Sequence, residues 1–198
     1  PKQMILEARA KKYAIGCFNT SDLEITKAII AAAEAQEAPV IISTSPKAIE
    51  YAGLGTLTAI IKKEAQKSKV PVALHLDHGL TLALIESCLE NGYTSIMFDG
   101  SGSELEHNEI LTRQAVEMAH AKNVIDFVQK TGVDFLAVSL GSEHGIGENE
   151  ALDIELLKKI NSLTGIPLVL HGASGVPDNN IKEAISNGIA KVNIDTDI

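Results

Sequence analysis

The chain has 198 residues, of which 45% are hydrophobic and 22% are charged, and its formal net charge is -9. This length is enough for one well-buried domain, and the composition is typical of a globular protein. The acidic balance argues against nucleic acid or an anionic membrane as a partner, because both favour basic surfaces. No apolar run approaches the ~20 residues of a membrane span. Cys17 and Cys88 are predicted to be reduced thiols, which favours a cytoplasmic location.

Strand-like and helix-like segments alternate along the chain. Strands are predicted at residues 14–19, 40–43, 72–76, 95–98, 135–140, 166–170 and 191–193, and most are followed by a segment with helical spacing of apolar residues. The strands are apolar throughout, as expected when both faces of a parallel sheet are buried. The alternation predicts an α/β fold with parallel strands joined by right-handed crossovers.

The alternation breaks after Asn123, where a helix predicted at residues 124–130 follows the helix at 104–120 with no strand between them. Seven strands can be counted, and eight would make a (β/α)₈ barrel, whose usual size is ~250 residues. Periodicity alone does not separate a barrel from an open sheet. We predict a single TIM-barrel domain over residues 1–198, from which one internal strand-loop segment and the C-terminal helix are missing.

Three of the predicted strands end in histidine and glycine. Residues 75–79 read His-Leu-Asp-His-Gly, residues 141–145 read Gly-Ser-Glu-His-Gly, and residues 171–175 read His-Gly-Ala-Ser-Gly. The carboxyl ends of parallel barrel strands lie at one face, so His78, His144 and His171 are expected to meet there. Three imidazoles with an open position form the arrangement of a catalytic zinc site. Such a metal would polarise a carbonyl and stabilise an enediolate.

Other titratable residues lie near the strand ends or on the long helix. Asp77 is the candidate general acid/base beside the metal, and Asp99 is a further carboxylate on the same rim. A single histidine after a strand is more often a capping or hydrogen-bonding residue, but three at equivalent positions favour a metal site. His75 is expected either to line the pocket or to belong to the core. His107 and His120 are interpreted as solvated or packed helix residues.

Two polar turns follow the last two strands. They are the glycine turn at residues 172–175 and the segment at residues 193–197, which reads Asn-Ile-Asp-Thr-Asp. Barrels commonly bind phosphate through backbone N–H groups at these two places. One glycine turn alone is more often an ordinary loop, whereas the pair indicates a phosphate site.

Taken together, the motifs at residues 74–79, 98–101, 141–145, 170–175 and 192–197 resemble those of the metal-dependent (class II) fructose-bisphosphate and tagatose-bisphosphate aldolases. The resemblance runs in order over nearly the whole chain. It implies reversible, zinc-dependent cleavage of a ketose 1,6-bisphosphate into dihydroxyacetone phosphate and glyceraldehyde 3-phosphate. It also implies a homo-oligomer, either a dimer or a tetramer, that binds a sugar bisphosphate and neither nucleic acid nor a membrane.

The resemblance also implies roles for individual residues. His78, His144 and His171 bind the zinc ion, and Asp77 exchanges the proton of the C4 hydroxyl group. Asp99 matches a carboxylate at a second divalent-metal position. The implied substrate and phosphate contacts are Asn19, Ser45, Gly145, Gly172, Ser174, Asn193, Asp195 and Thr196. Among these, Asn193 would contact the enediolate, and a monovalent cation such as Na⁺ or K⁺ would lie near the phosphate.

Some features of the family have no match in this sequence. The family has a strand and mobile loop with a glutamate that handles the C3 proton, and a final helix with an arginine that reaches a substrate phosphate. The loop after His144 is shorter than usual and lacks a lysine, and Glu143 stands where a small hydroxyl residue is common. Three alternatives therefore stay open: a tagatose-bisphosphate aldolase, an aldolase of another phosphorylated sugar such as one from inositol breakdown, or an inactive barrel that binds a metal or a sugar phosphate.

Overall fold

The computed structural model describes residues 2–122, 134–137, 140 and 152–194. The helices in this part are α1 (Lys2–Lys11), α2 (Leu23–Ala35), α3 (Pro46–Ala52), α4 (Leu54–Ala65), α5 (Leu82–Glu90), α6 (Leu105–Lys122), α7 (Ile154–Thr164) and α8 (Asp178–Ser186). The strands are β1 (Ile15–Asn19), β2 (Val40–Thr44), β3 (Val72–Gly79), β4 (Ser95–Phe98), β5 (Leu136–Ala137), β6 (Leu168–Leu170) and β7 (Ile189–Ile194). The helix predicted at residues 124–130 lies outside the described residues.

The strands form one parallel sheet in the order β4-β3-β2-β1-β7-β6-β5. Each predicted strand overlaps an observed one, with bounds that differ by a few residues, and the parallel α/β arrangement is confirmed. The first strand lies at the centre of the sheet, where β1 pairs with β2 on one side and with β7 on the other. The two edges within the described residues are β4 and β5, which are consecutive along the chain.

The sheet is curved like part of a barrel wall. In a flat sheet β3 and β7 would be three strand spacings apart, or about 14 Å. Instead, side chains of these two strands are in direct contact, with Lys191 Nζ 3.2 Å from His75 Nε2. His78 lies near the end of β3 and His171 follows β6, two strands that are four spacings apart in the sheet, yet the centroids of the two rings are 5.1 Å apart. The curvature therefore encloses an interior lined by polar side chains.

Apolar side chains fill the space between the sheet and the outer helices. The largest cluster joins Ile29 of α2 and Ile61 of α4 to Leu76 of β3 and Ile85 of α5, all of them buried. Full burial of each such side chain contributes about 1.5–3 kcal/mol. This packing holds the strands in place, so the ends of the strands can carry polar groups.

Helix α1 closes the interior at the opposite end from the polar strand ends, and the sequence pattern did not predict it. Its buried residues Ile5 and Ala8 pack with Ile15, Ile41 and Ala73, which are the first or second residues of β1, β2 and β3. The amino ends of these strands are therefore sealed by apolar contacts. Functional groups are left to the carboxyl ends.

The cysteines and the helices can be compared with the sequence predictions. Cys17 and Cys88 are buried, and neither forms a disulfide. Along the described residues, no helix has both the length and the apolar character needed to cross a membrane.

Candidate metal and substrate site

A bulge at the end of β3 places Asp77 and His78 in the same site. Leu76 is opposite Ile96 and Gly79 is opposite Phe98, so β3 has one more residue than β4 between these pairs. His78 takes up the extra residue with a φ of 51°, in the left-handed region that non-glycine residues rarely adopt. In a regular strand, neighbouring side chains would point to opposite faces. The bulge removes that constraint.

Asp77, His78 and His171 form a cluster of possible metal ligands. One ligand atom from each residue lies within 4.8 Å of the others. The rings of His78 and His171 meet edge to face, with an angle of 76° between their planes. His144, the third histidine predicted for this site, lies outside the described residues.

Asp99 orients His78 from outside the cluster. Its Oδ2 lies 2.6 Å from Nδ1 of His78, and its Oδ1 accepts hydrogen bonds from the backbone N–H and the hydroxyl of Ser101. Burial by itself would raise the pKa of Asp99, but the hydrogen bonds from His78 and Ser101 lower that pKa to about 2. The carboxylate is therefore ionised at neutral pH. A carboxylate on one imidazole nitrogen and a metal on the other is a common arrangement of metal-binding histidines.

Two side-chain amides hold the carboxylate of Asp77. Asn19 Nδ2 donates to Oδ2 at 3.2 Å, and Asn193 Nδ2 donates to Oδ1 at 3.3 Å. Asn19 is itself fixed, because its Oδ1 accepts a hydrogen bond from the hydroxyl of Ser43. Asp77 is 5% exposed. Its orientation is therefore set by residues from β1, β2 and β7.

Asn193 connects Asp77 to the histidine cluster. Its Nδ2 lies 3.0 Å from Nε2 of His171, and its Oδ1 is buried with no hydrogen-bond partner in the described part of the chain. A buried acceptor without a partner costs about 1–3 kcal/mol. This oxygen is therefore suited to accept a hydrogen bond from a hydroxyl group of a bound ligand.

His75 lies below the site in the interior, and its side chain is 0% exposed. Its Nδ1 is 2.8 Å from Ser95 Oγ, and its Nε2 is 3.2 Å from Nζ of Lys191. Burial, and then the nearby charge of Lys191, lower the pKa of His75 well below its ordinary value. Of the two positions that the sequence left open for His75, the structure places it in the core.

The remaining predicted contact residues lie at the start of α3 and in the turn after β6, or outside the described residues. Ser45 caps α3, because its hydroxyl accepts a hydrogen bond from the backbone N–H of Ala48 at 3.2 Å. In the turn after β6, Gly172 and Gly175 have φ values of 62° and 83°, and Ser174 between them is buried. Positive φ values of this kind allow successive backbone N–H groups to converge on an anion. Three predicted contact residues lie outside the described residues: Gly145, Asp195 and Thr196. His107 is exposed on α6.

The sequence matches the family described as fructose-bisphosphate aldolase class-II over residues 1–126 and 122–198, which together span the chain. The chain belongs to the class II fructose-bisphosphate aldolase family. This aldolase family consists of lyases that are generally zinc-dependent. The pairing of two strand-end histidines with a hydrogen-bonded carboxylate fits that chemistry.

Individual relatives agree with the assignment of this aldolase to the family. A fructose-bisphosphate aldolase from Streptococcus pyogenes serotype M3 is 41% identical over 231 residues, covering 99% of this chain and 78% of the relative. A 6-phospho-5-dehydro-2-deoxy-D-gluconate aldolase from Halalkalibacterium halodurans is 37% identical, covering 99% of this chain and 79% of the relative. The crystal structure of the YdjI aldolase from Escherichia coli K12 superimposes with a TM-score of 0.92 at 36% identity, covering 99% of this chain and 81% of that one.

Replacing Asp99 with asparagine is expected to weaken zinc binding by about 10- to 100-fold, the usual effect of losing a carboxylate behind a metal-binding histidine. Because the pKa of Asp99 lies below its ordinary value of 3.8, the pairing with His78 stabilises the folded chain above about pH 4 and is lost as the pH falls towards 2. Zinc affinity should be measured by competition with a chelator at pH 7. Glu109→Gln, an exposed carboxylate on α6, is the control. Equal zinc affinity in both variants would exclude this role for Asp99.

Proposed function

We propose that this aldolase catalyses the reversible, zinc-dependent cleavage of fructose 1,6-bisphosphate into dihydroxyacetone phosphate and glyceraldehyde 3-phosphate. The observation that carries the proposal is the arrangement of Asp77 beside His78 and His171. These three residues bring a fixed carboxylate and two imidazoles to one strand-end site, within 4.8 Å of one another.

The donor atoms at the site fit a zinc ion. Imidazole nitrogens are common zinc ligands, and a catalytic site uses three protein ligands with a fourth position open. We assign His78, His144 and His171 as these ligands and Asp99 as the carboxylate that orients His78. A second divalent-metal position is assigned beside Asp99. When bound, zinc supplies a Lewis acid that draws electron density from the substrate carbonyl.

Asp77 is assigned as the general acid/base. It would take the proton from the C4 hydroxyl group during cleavage and return it during condensation. The amides of Asn19 and Asn193 donate to different oxygens of this carboxylate, so its direction is fixed before substrate binds. The 5% exposure of Asp77 keeps bulk water from competing for the proton.

The substrate is assigned to the space above this carboxylate. Asn193 offers its buried acceptor oxygen to a substrate hydroxyl group, and Asn19 and Ser45 contact the sugar from the ends of β1 and β2. The positive φ values in the glycine turn support a phosphate site there. That site is assigned to Gly145, Gly172, Ser174, Asp195 and Thr196, with Na⁺ or K⁺ beside the phosphate.

The domain is assigned as one TIM barrel over residues 1–198, lacking one internal strand with its loop. Three observations support this assignment. The sheet edges are β4 and β5, the two strands on either side of Asn123. The family match divides at residues 122–126. The alignment with the S. pyogenes enzyme extends over 231 residues, although this chain has 198. We place this protein in the cytoplasm as a homo-oligomer, without nucleic-acid or membrane partners.

A second candidate substrate is a different phosphorylated sugar or keto sugar acid. It is favoured by the 37% identity to an enzyme named 6-phospho-5-dehydro-2-deoxy-D-gluconate aldolase. Tagatose 1,6-bisphosphate differs from the fructose compound in stereochemistry at C4, where Asp77 would act. The family assignment does not favour an inactive barrel.

Coupled aldolase assays on protein of known mass test the proposal. Fructose 1,6-bisphosphate should be cleaved, the rate should fall to the buffer background with EDTA, and added zinc should restore it. Tagatose 1,6-bisphosphate and 6-phospho-5-dehydro-2-deoxy-D-gluconate are assayed in parallel to rank the substrates. Cleavage that resists chelation would overturn the metal mechanism. If only the gluconate compound is cleaved, the second candidate is correct.

A further inference from the structure

Lys191 is a lysine in the interior of the curved sheet, with 1% of its surface exposed. Lysine is almost never fully buried unless its ammonium group is paired, because removal of that charge from water is costly. Its Nζ lies 3.2 Å from Nε2 of His75, which is completely buried. The desolvation of Lys191 therefore costs free energy, which suggests that this side chain has a function in the interior.

The contact between Lys191 and His75 lies directly below the contact between Asn193 and Asp77. His75 and Asp77 are two residues apart on β3, and Lys191 and Asn193 are two residues apart on β7. Residues two apart in a strand share a face, so the two contacts are successive cross-connections between the same two strands. Their lengths are 3.2 Å and 3.3 Å.

Because β3 and β7 are not neighbours in the sheet, no backbone hydrogen bonds of the sheet join them, and only side chains connect them. In the sheet, β3 pairs with β2 and β4, whereas β7 pairs with β1 and β6. The separation of β3 from β7 therefore depends on the curvature of the sheet and on the side chains that meet inside it. The upper connection belongs to the proposed catalytic site, and the lower one supports it.

Ser95 extends the lower connection to β4. An ammonium group only donates hydrogen bonds, so Nε2 of His75 accepts from Lys191 and Nδ1 carries the proton that faces Ser95 Oγ, 2.8 Å away. The three residues thus link β7, β3 and β4. These strands carry or precede Asn193, Asp77 and Asp99, respectively.

We propose that Lys191, His75 and Ser95 form a cross-barrel brace whose function is to position Asp77 against Asn193 for proton transfer. This inference rests on the aldol cleavage proposed above. Lys191 and His75 touch no substrate and act through Asp77. A misplacement of about 1 Å in a catalytic group can lower a rate by about 10²-fold, so a brace one layer below the site can control turnover.

Lys191→Met tests the brace, because methionine has a similar length and no charge. We expect kcat for fructose 1,6-bisphosphate to fall by about 10- to 100-fold, with KM changed less than about threefold and bound zinc unchanged. The control is Lys182→Met, an exposed lysine on α8. A second readout is nitrogen-15 NMR of the imidazoles in zinc-free protein. In the wild type, His75 is expected to carry its proton on Nδ1. In the Lys191 variant, His75 should lose this preference for one tautomer.

The double variant Lys191→Met with His75→Leu protects the test against misfolding, because it leaves no unpaired charge in the interior. His75→Leu is measured as well. If the two residues act as a unit, kcat of the double variant should be no lower than kcat of the less active of the two single variants. A kcat within about twofold of wild type in either Lys191→Met or the double variant would overturn the brace. A loss equal to the product of the single losses would do so as well. If the wild type cleaves none of the sugars, the proposed function fails, and the positioning role falls with it.

Discussion

Replacing His171 with alanine is expected to abolish zinc retention and aldol cleavage together. The ring of His171 lies 5.1 Å from that of His78, and its nitrogen Nε2 is 3.0 Å from the amide of Asn193. Removal of one of three imidazoles leaves too few ligands for a catalytic zinc site. Metal analysis after gel filtration should give at least ten zinc-bound chains in the wild type for each one in the variant, a ratio equal to ~1.4 kcal/mol or more of lost affinity.

Thermal unfolding gives an independent measurement of the loss of zinc binding in the His171 variant. Zinc at one hundred times its dissociation constant stabilises a folded protein by about 2.7 kcal/mol, so wild-type protein should melt at a higher temperature with zinc than with EDTA. The His171 variant should lose this difference. His107→Ala, at an exposed position on α6, is the matched control and should retain it. Unchanged zinc content in the His171 variant would remove His171 from the ligand set.

The sequence predicted the sheet because its signals are local. Apolar runs such as residues 40–42 identify strands that are buried on both faces, and the alternation with helices makes those strands parallel. Helix α1 escaped prediction because its buried face consists of Ile5 and Ala8, too short a pattern to show helical periodicity. The bounds of β5 also differ from the prediction of 135–140, because the strand begins at Leu136 and residues 138 and 139 lie outside the described part.

The structure brings together Asp77, His78 and His171, three of the residues that the sequence predicts for the site, whereas their geometry was less predictable. The positions of Asp77, His78 and His171 at strand ends indicated that they would meet, since parallel strands end at one face. The bulge in β3 that brings Asp77 and His78 together is not apparent from the sequence. The left-handed conformation of His78 arises from the pairing of β3 with β4, a non-local contact with no signature in residues 75–79.

Lys191 shows what local patterns leave out. Its spacing from Asn193 places the two residues on one face of the strand. Its partner, His75, lies 116 residues away on a strand that does not pair with β7. Only the curvature of the sheet brings them together, so a charged residue in an apolar strand could not be assigned to the interior from sequence. The same curvature creates the contact between Asp77 and Asn193.

Replacing Asp77 with alanine is expected to lower kcat by about 10²- to 10⁴-fold while zinc stays bound, because a positioned acid/base usually contributes this much. The structure separates the two functions: Asp77 is held by Asn19 and Asn193, whereas His78 is oriented through Asp99. The loss of Asp77 should therefore leave the histidine cluster intact. Measurement of kcat, KM and zinc content on one preparation is decisive.

The control for Asp77→Ala is Glu109→Ala, which removes an exposed carboxylate from α6 and should change none of these values. Turnover near that of the wild type in the Asp77 variant would exclude the acid/base role. Loss of zinc together with turnover would instead make Asp77 part of the metal site, as its distance of less than 4.8 Å from the ligand nitrogens allows. Retained zinc with lost turnover would establish that the carboxylate of Asp77, which the amides of Asn19 and Asn193 hold in place, carries the proton-transfer step.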